Sequence, residues 1–458
     1  MKPIIILLLI FLSFANNVKA QSKAEFNTAF ETLFSSSNEL PFWLIHNQYG
    51  RYPLNSNATQ LISLQGSKKF EKLFSSPLDL TLGANLISSY SSEFNANFNE
   101  LFARLAIRNW RLEGGLFHEP TYFEGISSTN GNIDRSNNAR PYPRIRLATD
   151  EFVPFLFWKS WLSFKAEYDE GVLNDEREVK NTHLHHKALH LRIDVFNVFD
   201  MSFGLNHYVM WGGVSPKYGE LPNSFKNYIT YITGGTGTYE FPQTDQLNVA
   251  GNQFGSYLLQ FNFKVNDNNV SAYINHPFDD HSGMELYNYE DNLYGIFIDF
   301  GKSKLFEKVI YEYMYTCDQS GNLHIIGVMT GKDDYYNHGY YLTGYTYNGY
   351  GMCTPLFSPI VPEEGKRAIK NTRVSMHHIG FTGTLTENLK WNSKMTLSRN
   401  WGTFFEPFEE PIYQFSSLFN FDYSSQVIPF DLTLSLAADF GKLYENRTGM
   451  MLKLSKSW

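Results

Sequence analysis

The chain has 458 residues, a formal net charge of −8, and 17% aromatic residues, among them 29 Tyr and 39 Phe. An acidic balance excludes a general nucleic-acid binder, which needs a basic surface. After the first twenty residues no apolar run reaches the roughly eighteen needed for a membrane-crossing helix, so a closed barrel is the spanning architecture left open.

Residues 1–20 carry Lys2, an apolar run from Ile4 to Phe14, and Val18-Lys19-Ala20 before Gln21. This is the pattern of a secretory signal peptide, and it predicts export from the cytoplasm. In 24–35, Phe26, Phe30, Leu33 and Phe34 recur at helical spacing, predicting a short amphipathic helix. The segment 21–60 is accordingly assigned as an N-terminal periplasmic, helical portion, and 61–458 as the barrel.

Beyond it, apolar and polar residues alternate with a period of two, the mark of a wall with one apolar and one polar face. Leu80, Leu82, Ala84 and Leu86 oppose Thr81, Gly83 and Asn85; Leu101, Ala103 and Leu105 follow suit. Further strands are predicted at 112–117, 162–169, 187–196, 202–211, 256–265, 270–275, 293–300, 307–316, 374–385 and 391–399. The closing hairpin is the clearest: Leu432, Leu434, Leu436 and Phe440 against Asp431, Thr433, Ser435 and Asp439, then Met450, Leu452, Leu454 and Trp458 against Lys453 and Ser455. The fold class read from this is an all-β transmembrane antiparallel barrel of about 16–18 strands, with a short N-terminal helical segment. Charge opposite the apolar stripe, at Arg104, Lys165, Glu167, Arg192, Asp194 and Glu312, must face the lumen, because a charge toward lipid costs roughly 2–4 kcal/mol at the midplane.

Polar, Gly/Pro/Asn-rich segments at 118–150, 212–253, 318–372 and 400–425 are predicted as long extracellular loops, the last two with room for extra strands. Trp211 and Trp401, each followed by Gly, are predicted interface anchors. His183, His185, His186 and His190 fit polar residues entering a strand better than a metal site. Asp279-Asp280-His281 and Asp333-Asp334 fit solvated loop carboxylates better than an acid/base pair. Cys317 and Cys353 fit a disulfide or two separate thiols equally. No nucleophile elbow, zinc motif or phosphate loop occurs, so no catalytic residue, metal or cofactor is assigned.

The segments PFWLIHNQYGRY (41–52), STNGNIDRSNNARPYPRIRLAT (128–149), DNLYGIFIDF (291–300), YEYMYTCDQSG (311–321), DDYYNHGYYLTGYTYNGYGMCTPL (333–356) and NTRVSMHHIGFTG (371–383) resemble landmarks of the capsule assembly Wzi family, in its Bacteroidetes-type form. The resemblance implies an 18-stranded outer-membrane barrel with a lectin-like role in holding capsular polysaccharide, neither an enzyme nor the export channel. Expected partners are a capsular or surface polysaccharide, outer-membrane lipid and the barrel assembly machinery.

Sugars are held by aromatic faces and fixed polar groups, and acidic glycans by bidentate Arg. Arg135, Arg140, Arg144 and Arg146, with Tyr142 between two prolines, form one candidate array; ion pairs of these arginines with Glu113, Glu119 or Asp150 across the lumen fit equally. Tyr335, Tyr336, Asn337 and Tyr340 open a Tyr/Gly/Asn-rich stretch that fits an adaptable binding surface or an aromatic girdle. The alternative function is a porin-like or substrate-selective channel. Inward-folded loops favour glycan retention; an unobstructed lumen favours the channel.

Overall fold

A computed structural model describes residues 21–155, 161–195, 198–301, 305–323 and 331–458; the expected leader at 1–20 lies outside them. The period-two segments become strands of a single closed antiparallel sheet. Its first half is β1 (Gln21–Ser35), β2 (Ala58–Glu71), β3 (Leu78–Tyr90), β4 (Phe94–Ile107), β5 (Trp110–Leu116), β6 (Arg144–Thr149), β7 (Leu162–Leu173), β8 (Thr182–Val195) and β9 (Phe199–Trp211). The second is β10 (Asn252–Val265), β11 (Asn268–Asp279), β12 (Asn292–Asp299), β13 (Lys308–Tyr315), β14 (Val374–Thr386), β15 (Leu389–Gly402), β16 (Pro407–Tyr423), β17 (Asp431–Gly441) and β18 (Arg447–Ser457). Val153–Pro154 adds a two-residue extension beside β7. β1 pairs with β18 from Asn27 opposite Ser457 to Ser35 opposite Gly449, which closes an 18-stranded barrel and leaves no free edge.

Residues 24–35 are therefore a strand of the wall, not the expected helix. Phe26, Phe30 and Phe34 recur every four residues, a spacing that serves a helix face and a strand face alike. Their rings are exposed on the outside, whereas Glu31 and Leu33 point inward and are fully buried. Closure of the sheet decides between the two periods, because β1 finds hydrogen-bonding partners on both sides. Helix in this region is confined to one turn, α1 (Phe42–Ile45). Three further strands escaped the alternation pattern. β16 fills most of the expected loop 400–425, β6 ends the expected loop 118–150, and β2 carries Lys68 on its outer face beside Phe70.

Gln21 pairs with Glu71 and Asn27 with Ser457, so both ends of the sheet's chain lie at the rim of the short turns 72–77, 108–109 and 266–267. Short turns face the periplasm in such barrels, which puts the connections 36–57, 117–143, 212–251, 280–291 and 316–373 on the extracellular side. The described residues of three of these fold into the lumen. Loops 36–57, 117–143 and 316–373 share one apolar core with the inner wall, in which Trp43, Ile133, Tyr335, Tyr336, Tyr341 and Phe357 are buried. The loop 212–251, carrying α2 (Phe225–Ile232) and α3 (Gln243–Leu247), instead packs over the outer face: Val209, Trp211, Tyr231, Phe241 and Ala250 form a separate cluster. Trp211 is thus buried under a loop, with its Nε1 donating to Glu170 at 2.9 Å, rather than anchoring in lipid.

Candidate functional site

The inner faces of β6, β7 and β8 lie side by side: Arg146 is opposite Asp169, Asp169 opposite His186, and Arg144 opposite Gly171. Loop 117–143 adds Glu119 and Arg135 from above. Arg146 donates to Glu119 at 2.7 Å and Asp169 at 3.2 Å. Arg135 reaches Glu119 at 2.7 Å and Glu167 at 2.8 Å. Arg144 binds Glu119 and the Phe117 carbonyl. Three guanidiniums thus face three carboxylates with little solvent, so each buried charge has partners and the loop is tied to the wall. Burial would raise the Glu119 carboxyl, but Arg135, Arg144 and Arg146 hold it well below the usual carboxylate range. Glu167, Asp169 and His186 place donor atoms within 4.8 Å of one another, a spacing that suits a metal, yet Arg135 and Arg146 already occupy the same oxygens. Glu113 pairs with Arg104 and Arg111, and Asp150 with Arg111, so Glu119 alone of the three expected acids meets the 135–146 arginines.

Beside this network a small cavity of about 40 Å³ is lined by Tyr49, His118, Arg135, Arg140, Tyr142 and Arg144, among others. The Tyr49 ring stacks on His118 with centroids 3.9 Å apart. Arg140 is half-buried, donates to Asn348 Oδ1 at 2.6 Å, and lies 5.9 Å from the Tyr347 ring centroid. Tyr142 packs where Gly171 leaves room, since a Cβ there would sit 2.5 Å from its ring. Several lining atoms make no hydrogen bond although buried: Asn137 Oδ1, Arg144 Nε and Tyr208 Oη. A buried polar atom without a partner marks a place prepared for water or a hydroxylated ligand.

The structure gathers Arg135, Arg140, Tyr142 and Arg144 at this cavity, with Arg146 just behind it, and places the tyrosines elsewhere. Tyr335 and Tyr336 are each 1% exposed and Tyr340 5%. Their hydroxyls donate to Asp291, Asp134 and Asp245. Asn337 bonds Asp334 and the Ile369 carbonyl. Tyr341, Tyr347 and Tyr350 reach the Gly212 carbonyl, Asn174 and the Tyr52 carbonyl. Each ring of this stretch ties the 316–373 loop to a different neighbour, so the tyrosines lie in the plug and not in a lipid girdle. Cys317 and Cys353 are separate buried thiols.

Residues to which the sequence assigned no part in the site hold the plug in place. Glu312, inward on β13 and fully buried, accepts from Ser127 Oγ, Ser128 N, Ser128 Oγ and Tyr273 Oη at 2.6–2.7 Å. His378 bonds the Ile126 carbonyl and Thr396 at 2.7 Å, and Trp43 Nε1 donates to Thr396. Glu312 was legible as a lumen charge; its partners lie 39 positions away at Tyr273 and some 185 away at Ser127 and Ser128, and carry no sequence signal.

A family model described as capsule assembly protein Wzi matches residues 17–357. No curated protein sequence matches the chain. Among solved structures, the Escherichia coli outer-membrane protein Wzi, titled a carbohydrate-binding β-barrel involved in group 1 capsule assembly, is similar at a TM-score of 0.58 and 14% identity, over 94% of this chain and 84% of that one. Pseudomonas aeruginosa OccK5 (TM-score 0.50, 9% identity, 95% and 98% covered) and OccK2 in complex with glucuronate (0.50, 8%, 95% and 96%) share the barrel fold.

Proposed function

The chain belongs to the capsule assembly protein Wzi family, and from that membership we propose that it is a non-enzymatic, lectin-like barrel that binds and retains capsular or other exopolysaccharide at the cell surface. The observation that carries the reading is the filled lumen: three extracellular loops pack inward into one core with the wall. A channel for oligosaccharides needs a continuous aqueous path, and the described loops occupy it. Their packing instead holds rigid polar groups around the cavity at Arg140, Tyr142 and Arg144, where rings and guanidiniums can meet sugar faces and carboxylates without paying the entropy of loop ordering. The E. coli relative is itself titled carbohydrate-binding, which supports the same use of the fold. Residues 1–20 serve as the export signal, removed before the barrel assembly machinery inserts the chain.

A deletion strain tests this. Capsular polysaccharide should leave the cell and appear in the medium. If the cell-bound amount is unchanged and none is shed, the retention reading fails. Within the site, Arg140→Ala is the informative variant because Arg140 stands outside the carboxylate network. Retention should fall while the barrel stays folded.

A further inference from the structure

We propose that the outer wall carries a second site, for the phosphorylated headgroup of an outer-leaflet lipid, in the cavity beneath loop 212–251. The extracellular ends of β8, β9 and β10 are not apolar on the outside: Lys187, His207 and Gln253 all point away from the lumen, in register with one another's neighbours. Such groups are costly against hydrocarbon. Here they lie under the 212–251 loop on one side and α4 (Asp280–Met284) on the other, and between these remains a cavity of about 210 Å³.

Three observations say what would fill it. Among the described residues, the one hydrogen-bond acceptor for Lys187 Nζ is the Ile232 carbonyl at the end of α2, so this amine is not paired with a carboxylate. His207 and Gln253 are each more than nine-tenths buried and line the cavity, yet His207 Nδ1 and Gln253 Oε1 make no hydrogen bond of normal geometry. Asp280, at the cavity's edge, is already engaged by Asn248 and the Ser282 amide at 2.9 Å.

The floor identifies the source of the anion. Leu205 lines the cavity and is 39% exposed, and it stands in the same outward row as exposed Phe203, two residues nearer the membrane centre. The cavity is therefore continuous with the lipid-facing wall. α2 exposes Phe225 and Ile229, one turn apart, as an interfacial helix does where headgroups meet acyl chains. An amphiphile can lay a chain along Phe203 and Leu205 while its phosphate accepts from the remaining Nζ hydrogens of Lys187 and from His207. A soluble anion leaves that apolar floor unused.

The test is native mass spectrometry of the full chain in dodecyl maltoside micelles doped with bis-phosphorylated lipid A, with the dephosphorylated lipid and inorganic phosphate as comparators. The wild-type chain should retain the phosphorylated lipid, and remove it from the micelle at least about tenfold better than the dephosphorylated form. Lys187→Gln should lose that preference. Val249→Trp, which fills the cavity without changing charge, should lose the lipid outright. Equal retention of both lipids by the wild-type chain overturns the proposal, as does competition by inorganic phosphate at the lipid's own concentration. Undiminished retention in Val249→Trp, with heat-modifiable gel mobility showing an intact barrel, overturns it too.

Discussion

Among single residues, Glu119 is the most consequential, because three guanidiniums depend on it. Glu119→Gln leaves Arg135, Arg144 and Arg146 facing two carboxylates in a nearly dry site, and should cost about 3–5 kcal/mol. The measurement is the unfolding midpoint of the refolded barrel. The pH dependence has a defined sign. The folded-state carboxyl lies below its ordinary value of 4.5, so its contribution is complete above that pH and is lost as pH falls further below it. Wild-type and Glu119→Gln unfolding curves should therefore converge in strong acid and separate toward neutrality. Trp43, buried between Lys394 and His378, gives a contrast without charge: Trp43→Ala removes a full indole from the plug and should cost roughly 3–5 kcal/mol by the same measurement. Alternation made Glu167 readable as a lumen charge, whereas Arg144 and Arg146 were expected in a loop and turn out to be inward residues of β6. That Arg146 would stand opposite Asp169 and reach Glu167 was not readable, since cross-strand register is not written in local spacing.

At the scale of elements, β1 and the 117–143 loop show two ways in which context overrides pattern. β1 presents Phe30 to lipid as a strand residue, so Phe30→Lys should cost about 2–4 kcal/mol in bilayers and impair barrel closure, seen as loss of heat-modifiable mobility. A helix lying free in the periplasm would tolerate the same change. The loop depends on Glu312 and on a bare stretch of wall at Gly380, where a Cβ would stand 2.4 Å from the Ile126 carbonyl oxygen. Gly380→Val must push that carbonyl off the wall, and Glu312→Ala strands five donors at once. Either variant should raise single-channel conductance from the closed baseline of the wild-type barrel; if both stay closed, other contacts of the loop are sufficient to hold it. Loop character at 117–143 was evident from its Asn, Ser and Gly content. Its inward direction was not, because a polar surface loop and a polar lumen plug have the same composition.

For the whole molecule, the plug is joined to the outside of the barrel by buried acids. Burial and the neighbouring Asp280 carboxylate push Asp333 up to about 8. Burial pushes Asp291 up to about 7, against the hydrogen bonds it accepts from Tyr335, Gln319 and Asp318. For an acid whose folded value is raised, the folded state holds more protons than the unfolded one, so stability declines as pH rises from about 4 through 7 to 8. The 316–373 loop should accordingly loosen above about pH 8, read as faster protease cleavage within it, and Asp333→Asn should remove most of that change. The two acidic pairs, 279–280 and 333–334, were expected as separate solvated loops. They meet because α4 and the 316–373 loop fold toward each other, with Ser282 Oγ donating to Asp333 at 3.1 Å.

The sequence by itself determined the barrel, since alternation of apolar and polar residues has one stable outcome in a bilayer, and it placed the charges opposite the apolar stripes on the lumen face. It also carried the family, through short landmarks spread along the chain. Only the tertiary structure decided that β1 is wall, that the 335–350 tyrosines fasten loops together, and that one set of loops turns inward while 212–251 turns outward. The physical reason is that the wall is specified by local side-chain period, whereas the plug is specified by hydrogen bonds between residues up to hundreds of positions apart, for which local pattern holds no record.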